Sequence, residues 1–242
     1  MSFYYDTETY NTQSAELILP IVFSLIGVPT NVLDVGCGNG SWLKVLEKYG
    51  VSYQGIDGSH VSEKNFLADY ACFRAEDLSR PFHLHKKYDL VLSLEVAEHL
   101  PLEAADVFIE NLVKHGDTIL FSAAVPFQGG FMHLNEQYPS YWVEKFAKHH
   151  YAFYDLIRPK IWYNQKIQVW YRQNIFLVGN ASSLLAQKFS PDELIYDKIH
   201  PELFEAKAKQ ALRAEQMERG ELGIRLALQS LKQAILKKLW KK

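Results

Sequence analysis

The chain has 242 residues, which at about 150 residues per domain allows one full α/β or all-β domain with an appendage, or two small domains. With 48% hydrophobic and 22% charged residues it has an ordinary globular composition, which excludes a disulfide-stapled miniature fold, a collagen-like chain and disorder throughout. Twenty-six basic against 28 acidic side chains give a net charge of -2, so any nucleic acid or anionic lipid would have to be met by a local patch.

Two cysteines, Cys37 and Cys72, are too few for a disulfide framework and sit in apolar settings, which suits a reducing cytoplasm. No positive stretch leads into an apolar run at the N-terminus, so no signal peptide is expected. The longest apolar stretch, Leu17 to Val28, is interrupted by Pro20, Ser24 and Gly27 and falls short of the roughly 20 residues of a spanning helix. Aromatic residues make up 14% of the chain and crowd between Phe121 and Phe176, where core packing and an aromatic-lined pocket both account for them.

Short β-like runs alternate with helical segments over the first 180 residues, the pattern of a doubly wound sheet. Strands are expected at Asn31 to Val35, Ser52 to Ile56, Ala71 to Arg74, Tyr88 to Leu92, Thr118 to Ala123, Tyr151 to Ile157 and Asn174 to Val178. Helices are expected over Ser41 to Tyr49, with Ser41 as N-cap, and over Leu102 to Leu112, entered through Pro101. Beyond Asn180 the β-branched runs stop and helical composition continues past Pro201, dividing the chain into a domain over 1–180 and a helical tail over 181–242.

The segment Val32-Leu33-Asp34-Val35-Gly36-Cys37-Gly38-Asn39-Gly40-Ser41 carries an apolar strand into a turn with glycines at 36, 38 and 40 and then into a helix. Missing side chains there allow positive φ and close backbone approach to a ligand. The dinucleotide spacing fails at Ser41 and the lysine of a phosphate loop is missing, so a ligand without pyrophosphate is favoured. Asp57, about 20 residues after the turn, ends the second strand as an acceptor for ribose hydroxyls. Glu76, Asp77 and Leu78 follow the third strand, and either carboxylate suits an adenine amino group.

By its VLDVGCGNG, GID, AEDL and YDLVLSLEVAEHL stretches the sequence resembles the class I S-adenosylmethionine-dependent methyltransferases over roughly residues 28–180. The resemblance implies a seven-stranded Rossmann-like sheet with its last strand inserted antiparallel, and S-adenosylmethionine as cofactor. It also implies that Asp34, Gly36, Gly38 and Gly40 hold the methionine end, Asp57 the ribose and Asp77 the adenine, with Glu95 orienting the cofactor.

On the acceptor side, Glu95-Val96-Ala97-Glu98-His99 looks like the EVxEH segment of quinone O-methyltransferases and of small-RNA 2'-O-methyltransferases of the plant microRNA type. The second resemblance implies a divalent metal on Glu95, Glu98, His99 and His133, with Mg or Mn suiting such ligands. The favoured reading needs no metal: Glu98 and His99 are structural, and His133 is the general base, since imidazole titrates near working pH.

Asn135, Tyr141, Trp142, Arg158, Trp162, Trp170 and Asn174 form polar-aromatic clusters that are expected to cap an acceptor pocket. The HLNEQYPSYW segment is similar to methyltransferase-like proteins associated with bacterial surface polysaccharides, which implies a glycan or small-molecule acceptor. In the tail, Leu222, Ile224, Leu228, Leu231, Ile235 and Leu239 keep helical spacing. Arg225, Lys232, Lys237, Lys238, Lys241 and Lys242 against Glu221 leave a local charge of +5.

Such a helix docks on its own domain, self-associates or meets a membrane surface. The expected location is therefore cytoplasmic, with peripheral contact to the inner membrane face as an extension. Two function classes follow: an enzyme methylating a hydroxyl, or a non-catalytic cofactor-fold scaffold. Nucleic acid is not an expected partner.

Overall fold

A computed structural model describes residues 11–193 and 197–220 and the single positions 224, 228, 231, 232 and 236. Residues 1–198 form one compact unit and residues 199–242 a second. Seven strands appear in the first unit: β1 (Asn31–Val35), β2 (Ser52–Asp57), β3 (Phe73–Ala75), β4 (Leu90–Leu94), β5 (Thr118–Ser122), β6 (Ala152–Tyr154) and β7 (Phe176–Gly179). They form one sheet in the order β3-β2-β1-β4-β5-β7-β6. The five on the β3 to β5 side are parallel, and β7 runs antiparallel between β5 and β6.

The central strands β4 and β5 are buried throughout, as strands covered on both faces must be. One face packs under α1 (Gln13–Ile26) and α2 (Ser41–Glu47), with Ile18, Leu19, Val22, Leu43 and Leu46 against Leu92 and Leu120. The other packs under α3 (Ala105–His115) and α4 (Pro139–Ala147), with Phe108, Ile109, Leu112 and Phe146 against Leu33, Val91 and Phe121. Strand order reverses between β1 and β4, and their carboxyl ends open the crevice where such sheets bind ligands.

Several boundaries move. A single 3-10 turn occupies Tyr70–Cys72, so β3 begins at Phe73. Tyr88 contributes only a bridge to Gly116, because Asp89 turns its carboxylate back to accept from the amides of Thr30 and Asn31. Asn174 ends α6 (Val169–Asn174) rather than opening a strand. Ser41 is the first helical residue and not the N-cap: Gly40, at φ 73°, takes that place without a side-chain cap.

Between β6 and β7 a further short helix, α5 (Arg158–Ile161), precedes α6, and α7 (Leu184–Lys188) follows β7 with Leu185 fully buried. The second unit contains α8 (Pro201–Glu218), capped by His200, whose Nδ1 accepts from the Glu202 amide at 3.2 Å. The expected basic amphipathic helix over 221–242 lies outside the described residues except for the five single positions. No described helix is long and apolar enough to cross a membrane.

Candidate active site

The glycine turn begins where β1 ends. Gly36 holds φ 85°, and a Cβ on it would stand 2.3 Å from Val96 Cγ2, so both its backbone conformation and its closeness to the β4 loop demand glycine. The Gly38 amide donates to Asp57 Oδ2 at 2.8 Å and the Gly58 amide to Oδ1 at 2.6 Å. Asp57 thereby locks the turn, and each oxygen keeps acceptor capacity for a ligand hydroxyl. Burial raises the Asp57 carboxyl above the usual range, partly offset by those two amides. Asp34, 3% exposed, is pushed up to about 8 by burial and then by the charge of Asp57.

At the end of β3, Asp77 Oδ1 accepts from the Ser79 amide at 3.0 Å, and Ser79 and Arg80 hold its carboxyl below the usual value. Glu76 beside it pairs with Arg74. At the end of β4, Glu95 takes the left-handed conformation, φ 55°, a strained state for a side chain of this size. Its amide donates to the carbonyl and hydroxyl of Ser122, at 3.0 and 3.1 Å. Its carboxylate accepts from Asn174 Nδ2 at 3.1 Å and Gln128 Nε2 at 2.9 Å. Burial raises its pKa, and those two amides with Ser122 oppose the rise.

One 3-10 turn further on, Glu98 is fully buried, yet neither carboxylate oxygen has a hydrogen-bond partner. Burial and then the charge of Glu95 push it well above the ordinary carboxyl range. Its backbone carbonyl accepts from the amides of Leu134 and Asn135, at 2.7 and 3.0 Å, which stitches the segment after β5 to this turn. His133 lies in that segment, with Nδ1 2.8 Å from Glu136 Oε1. Glu136 also accepts from the amides of Phe127 and Gly129, at 2.8 and 2.7 Å.

A Cβ on Gly130 would meet His133 Nε2 at 2.1 Å, so glycine is what lets the segment fold over the imidazole. His99 meets His133 edge to face, centroids 4.8 Å apart, and burial followed by His133 lowers it to about 4. Ligand atoms of Glu98, His99 and His133 lie within 4.8 Å of one another.

These elements enclose a cavity of about 1060 Å³. Of the expected residues, Asp34, Gly36, Gly38, Asp57, Glu76, Asp77, Leu78, Glu95, Glu98, His99, His133 and Trp170 line it. Gly40 lies off the wall, against Phe66. The expected capping residues largely do not reach the cavity. Trp142 is 2% exposed and packs on Phe121, because α4 turns its apolar face to the sheet. Arg158, also 2% exposed, grips Asp155 at 2.9 and 2.6 Å and lies 4.0 Å over the Phe176 ring.

Trp162 gives its carbonyl to Arg172 at 3.3 Å, Tyr141 lies under Lys145, and Asn135 is buried with its Oδ1 accepting from Gln137. Asn174 acts through Glu95 from behind the wall. Tyr171, part of the expected polar-aromatic cluster over residues 170–174, also reaches the wall, whereas Gln128 and Trp42 on that wall were not expected. The Gly129-Gly130 pair just after β5 was the available signal for Gln128, and the place of Trp42 directly after the glycine turn was the signal for it.

The donor set fits S-adenosylmethionine. Asp57 offers free acceptor positions for the ribose, Glu76 and Asp77 stand one strand over for the adenine, and buried Asp34 is an acceptor for an ammonium.

The model of a family described as methyltransferase domain matches residues 9–157. The chain is 36% identical over 101 residues to a ubiquinone biosynthesis O-methyltransferase of Paraburkholderia phytofirmans, covering 38% of this chain and 43% of that protein. It is 35% identical over 115 residues to the protein of that name from Neisseria meningitidis, covering 43% and 48%. It thus spans less than half the length of these curated relatives.

Among solved structures, the sugar N-methyltransferase KedS8 of Streptoalloteichus superposes with a TM-score of 0.56 at 13% identity, over 74% of this chain and 96% of that one. Magnesium protoporphyrin IX methyltransferase of Synechocystis, with bound SAH, gives 0.51 at 21% identity over 70% and 83%. Both likenesses are of fold. With the family match covering more than half of its length, the chain belongs to the methyltransferase-domain family, the class I S-adenosylmethionine-dependent methyltransferases.

Proposed function

We propose that this methyltransferase moves the methyl group of S-adenosylmethionine to a hydroxyl oxygen of a small-molecule or glycan acceptor. One observation carries the reading: a single cavity joins a nucleoside and amino-acid side, built on Asp34, the glycine turn and Asp57, to a second side built on Glu98, His99 and His133. The sulfonium supplies an already activated methyl, so the chain's main contribution is in-line alignment, worth roughly 7 to 11 kcal/mol. His133, fixed at Nδ1 by Glu136, has Nε2 left to take the proton of the acceptor hydroxyl.

The name of the curated relatives supports oxygen as the methylated atom. No lysine or arginine lines the cavity among the described residues, which favours an acceptor uncharged near its reacting hydroxyl. The likeness of the HLNEQYPSYW segment supports a glycan of a surface polysaccharide as one such acceptor. The test is calorimetric titration with S-adenosylmethionine, then release of S-adenosylhomocysteine against neutral quinols, catechols and sugars. No cofactor binding at high micromolar concentration removes the reading.

A second reading, metal-assisted transfer, is favoured by Glu98. A buried carboxylate with two orphaned oxygens beside two imidazoles is costly unless a cation or proton satisfies it. Glu98, His99 and His133 would hold Mg or Mn, while Glu95 is occupied by Asn174 and Gln128. A bound cation would polarise the acceptor oxygen. Activity should vanish in chelator and return with Mg or Mn; full activity in chelator removes this version.

A further inference from the structure

The cavity wall is rich in acids and poor in cations. Asp34, Asp57, Glu76, Asp77, Glu95 and Glu98 line it, and its only basic side chains among the described residues are His60, His99 and His133. The methionine end of S-adenosylmethionine brings an ammonium, for which Asp34 is at hand, and also a carboxylate. That carboxylate needs donors near Asp34. The amides of Gly36 and Cys37 donate to the Ile56 carbonyl, and that of Gly38 is taken by Asp57. With these three amides taken, a side chain on the wall can supply the donor, among the described residues.

Tyr171 supplies one. It belongs to α6, inserted between β6 and β7, and reaches the wall beside Trp42, the second residue of α2 after the glycine turn. The Trp42 indole Nε1 donates to the Tyr171 oxygen at 3.3 Å, with the rings edge to face at 5.4 Å. The Trp170 ring lies edge to face with Tyr171, centroids 6.1 Å apart. Indole N–H can only donate, so the Trp42 contact occupies an acceptor position of the phenol and turns its proton away from that indole.

We infer that the Tyr171 hydroxyl donates to the α-carboxylate of the methionine end of the cofactor, so that the β6–β7 insertion reads the amino-acid part of the ligand. Burial, with the nearby charges of Glu95 and Asp34, raises the phenol pKa and keeps the group a donor at every working pH. The same two acids explain why a neutral donor serves here. A lysine or arginine in this place would pair with them instead of with the ligand.

The inference rests on S-adenosylmethionine as cofactor, and one titration series separates the two. The full-length protein and its Tyr171→Phe and Trp42→Phe variants are titrated with S-adenosylmethionine and with decarboxylated S-adenosylmethionine, which keeps ammonium and sulfonium but lacks the carboxylate. A hydrogen bond to a charged group is worth about 1.5 to 3 kcal/mol. Tyr171→Phe should therefore weaken S-adenosylmethionine about 10- to 100-fold and leave the decarboxylated ligand within twofold.

Trp42→Phe frees the phenol to reorient and should give a smaller loss of the same selectivity; it also serves if Tyr171→Phe fails to fold. Unchanged affinity for S-adenosylmethionine, or an equal loss for both ligands, overturns the role of Tyr171 while leaving the cofactor reading intact. Failure of the wild-type protein to bind either ligand overturns both.

Discussion

Asn174 Nδ2 donates to Glu95 Oε1 at 3.1 Å across 79 residues of sequence, and to Gln128 Oε1 at 2.9 Å as well. Gln128 Nε2 donates to Glu95 Oε2 at 2.9 Å, so a loop and the end of α6 close on one part-buried carboxylate. Truncating Asn174→Ala leaves that carboxylate short of a donor. A loss of about 1 to 3 kcal/mol is expected, together with weaker cofactor binding, since Glu95 lines the cavity. Thermal denaturation and calorimetry check this, and stability within 0.5 kcal/mol of wild type would contradict it.

Asp34 gives the cofactor affinity a pH dependence. With its carboxyl at about 8, the residue is largely protonated at pH 7 in the free protein, and a cationic ammonium beside it favours the ionised form. Binding then releases a proton, and the dissociation constant should fall as pH rises from 6 toward 8. In the free protein the sign is opposite. A raised folded pKa means stability is fully present below the unfolded value near 3.9 and is lost as pH rises to about 8. Asp34→Asn should accordingly melt higher than wild type at pH 8, with the gap closing toward pH 4. A pH-independent gap would count against burial of the charge as the cause.

His133→Ala should keep cofactor affinity and lose turnover by about 10² to 10⁴, the usual worth of a positioned base. Single-turnover kinetics at saturating cofactor separate the two effects. Weakened binding with unchanged turnover would assign His133 to the cofactor side.

For Glu98, substitution by Gln removes a buried carboxyl without hydrogen-bond partners. The variant should be more stable than wild type without metal, and any Mn-induced rise in melting temperature should disappear with it. A Mn response that survives Glu98→Gln would place the cation elsewhere.

Past Lys198 the tail makes a claim separable from catalysis. If its basic stripe meets anionic head groups, each lysine near the surface contributes about 1 kcal/mol. The full-length protein should then sediment with anionic vesicles at low salt and less so at high salt, and a protein ending at Lys198 should not. If the stripe is a dimer seam, truncation changes the mass by light scattering while neither form pellets.

The motifs that the sequence determined by itself were local ones. Gly36 and Gly40 had to take positive φ after β1, and a carboxylate had to end β2, because strand periodicity and turn chemistry are written in adjacent residues. Seven strands were countable for the same reason, although β3 and β6 are only three residues each, β3 being shortened by the 3-10 turn over Tyr70–Cys72.

The tertiary structure alone decided what stands behind those motifs. Trp142 and Arg158 read as pocket residues by type, but α4 and the Asp155 pair draw them into the interior. The Glu98 carboxyl oxygens are left without hydrogen-bond partners, Glu136 fixes His133, and Tyr171 arrives beside Trp42 across 129 residues. Period and propensity specify which face a side chain occupies. Which distant loop meets it depends on crossovers and burial, whose energies are settled only when the whole sheet has closed.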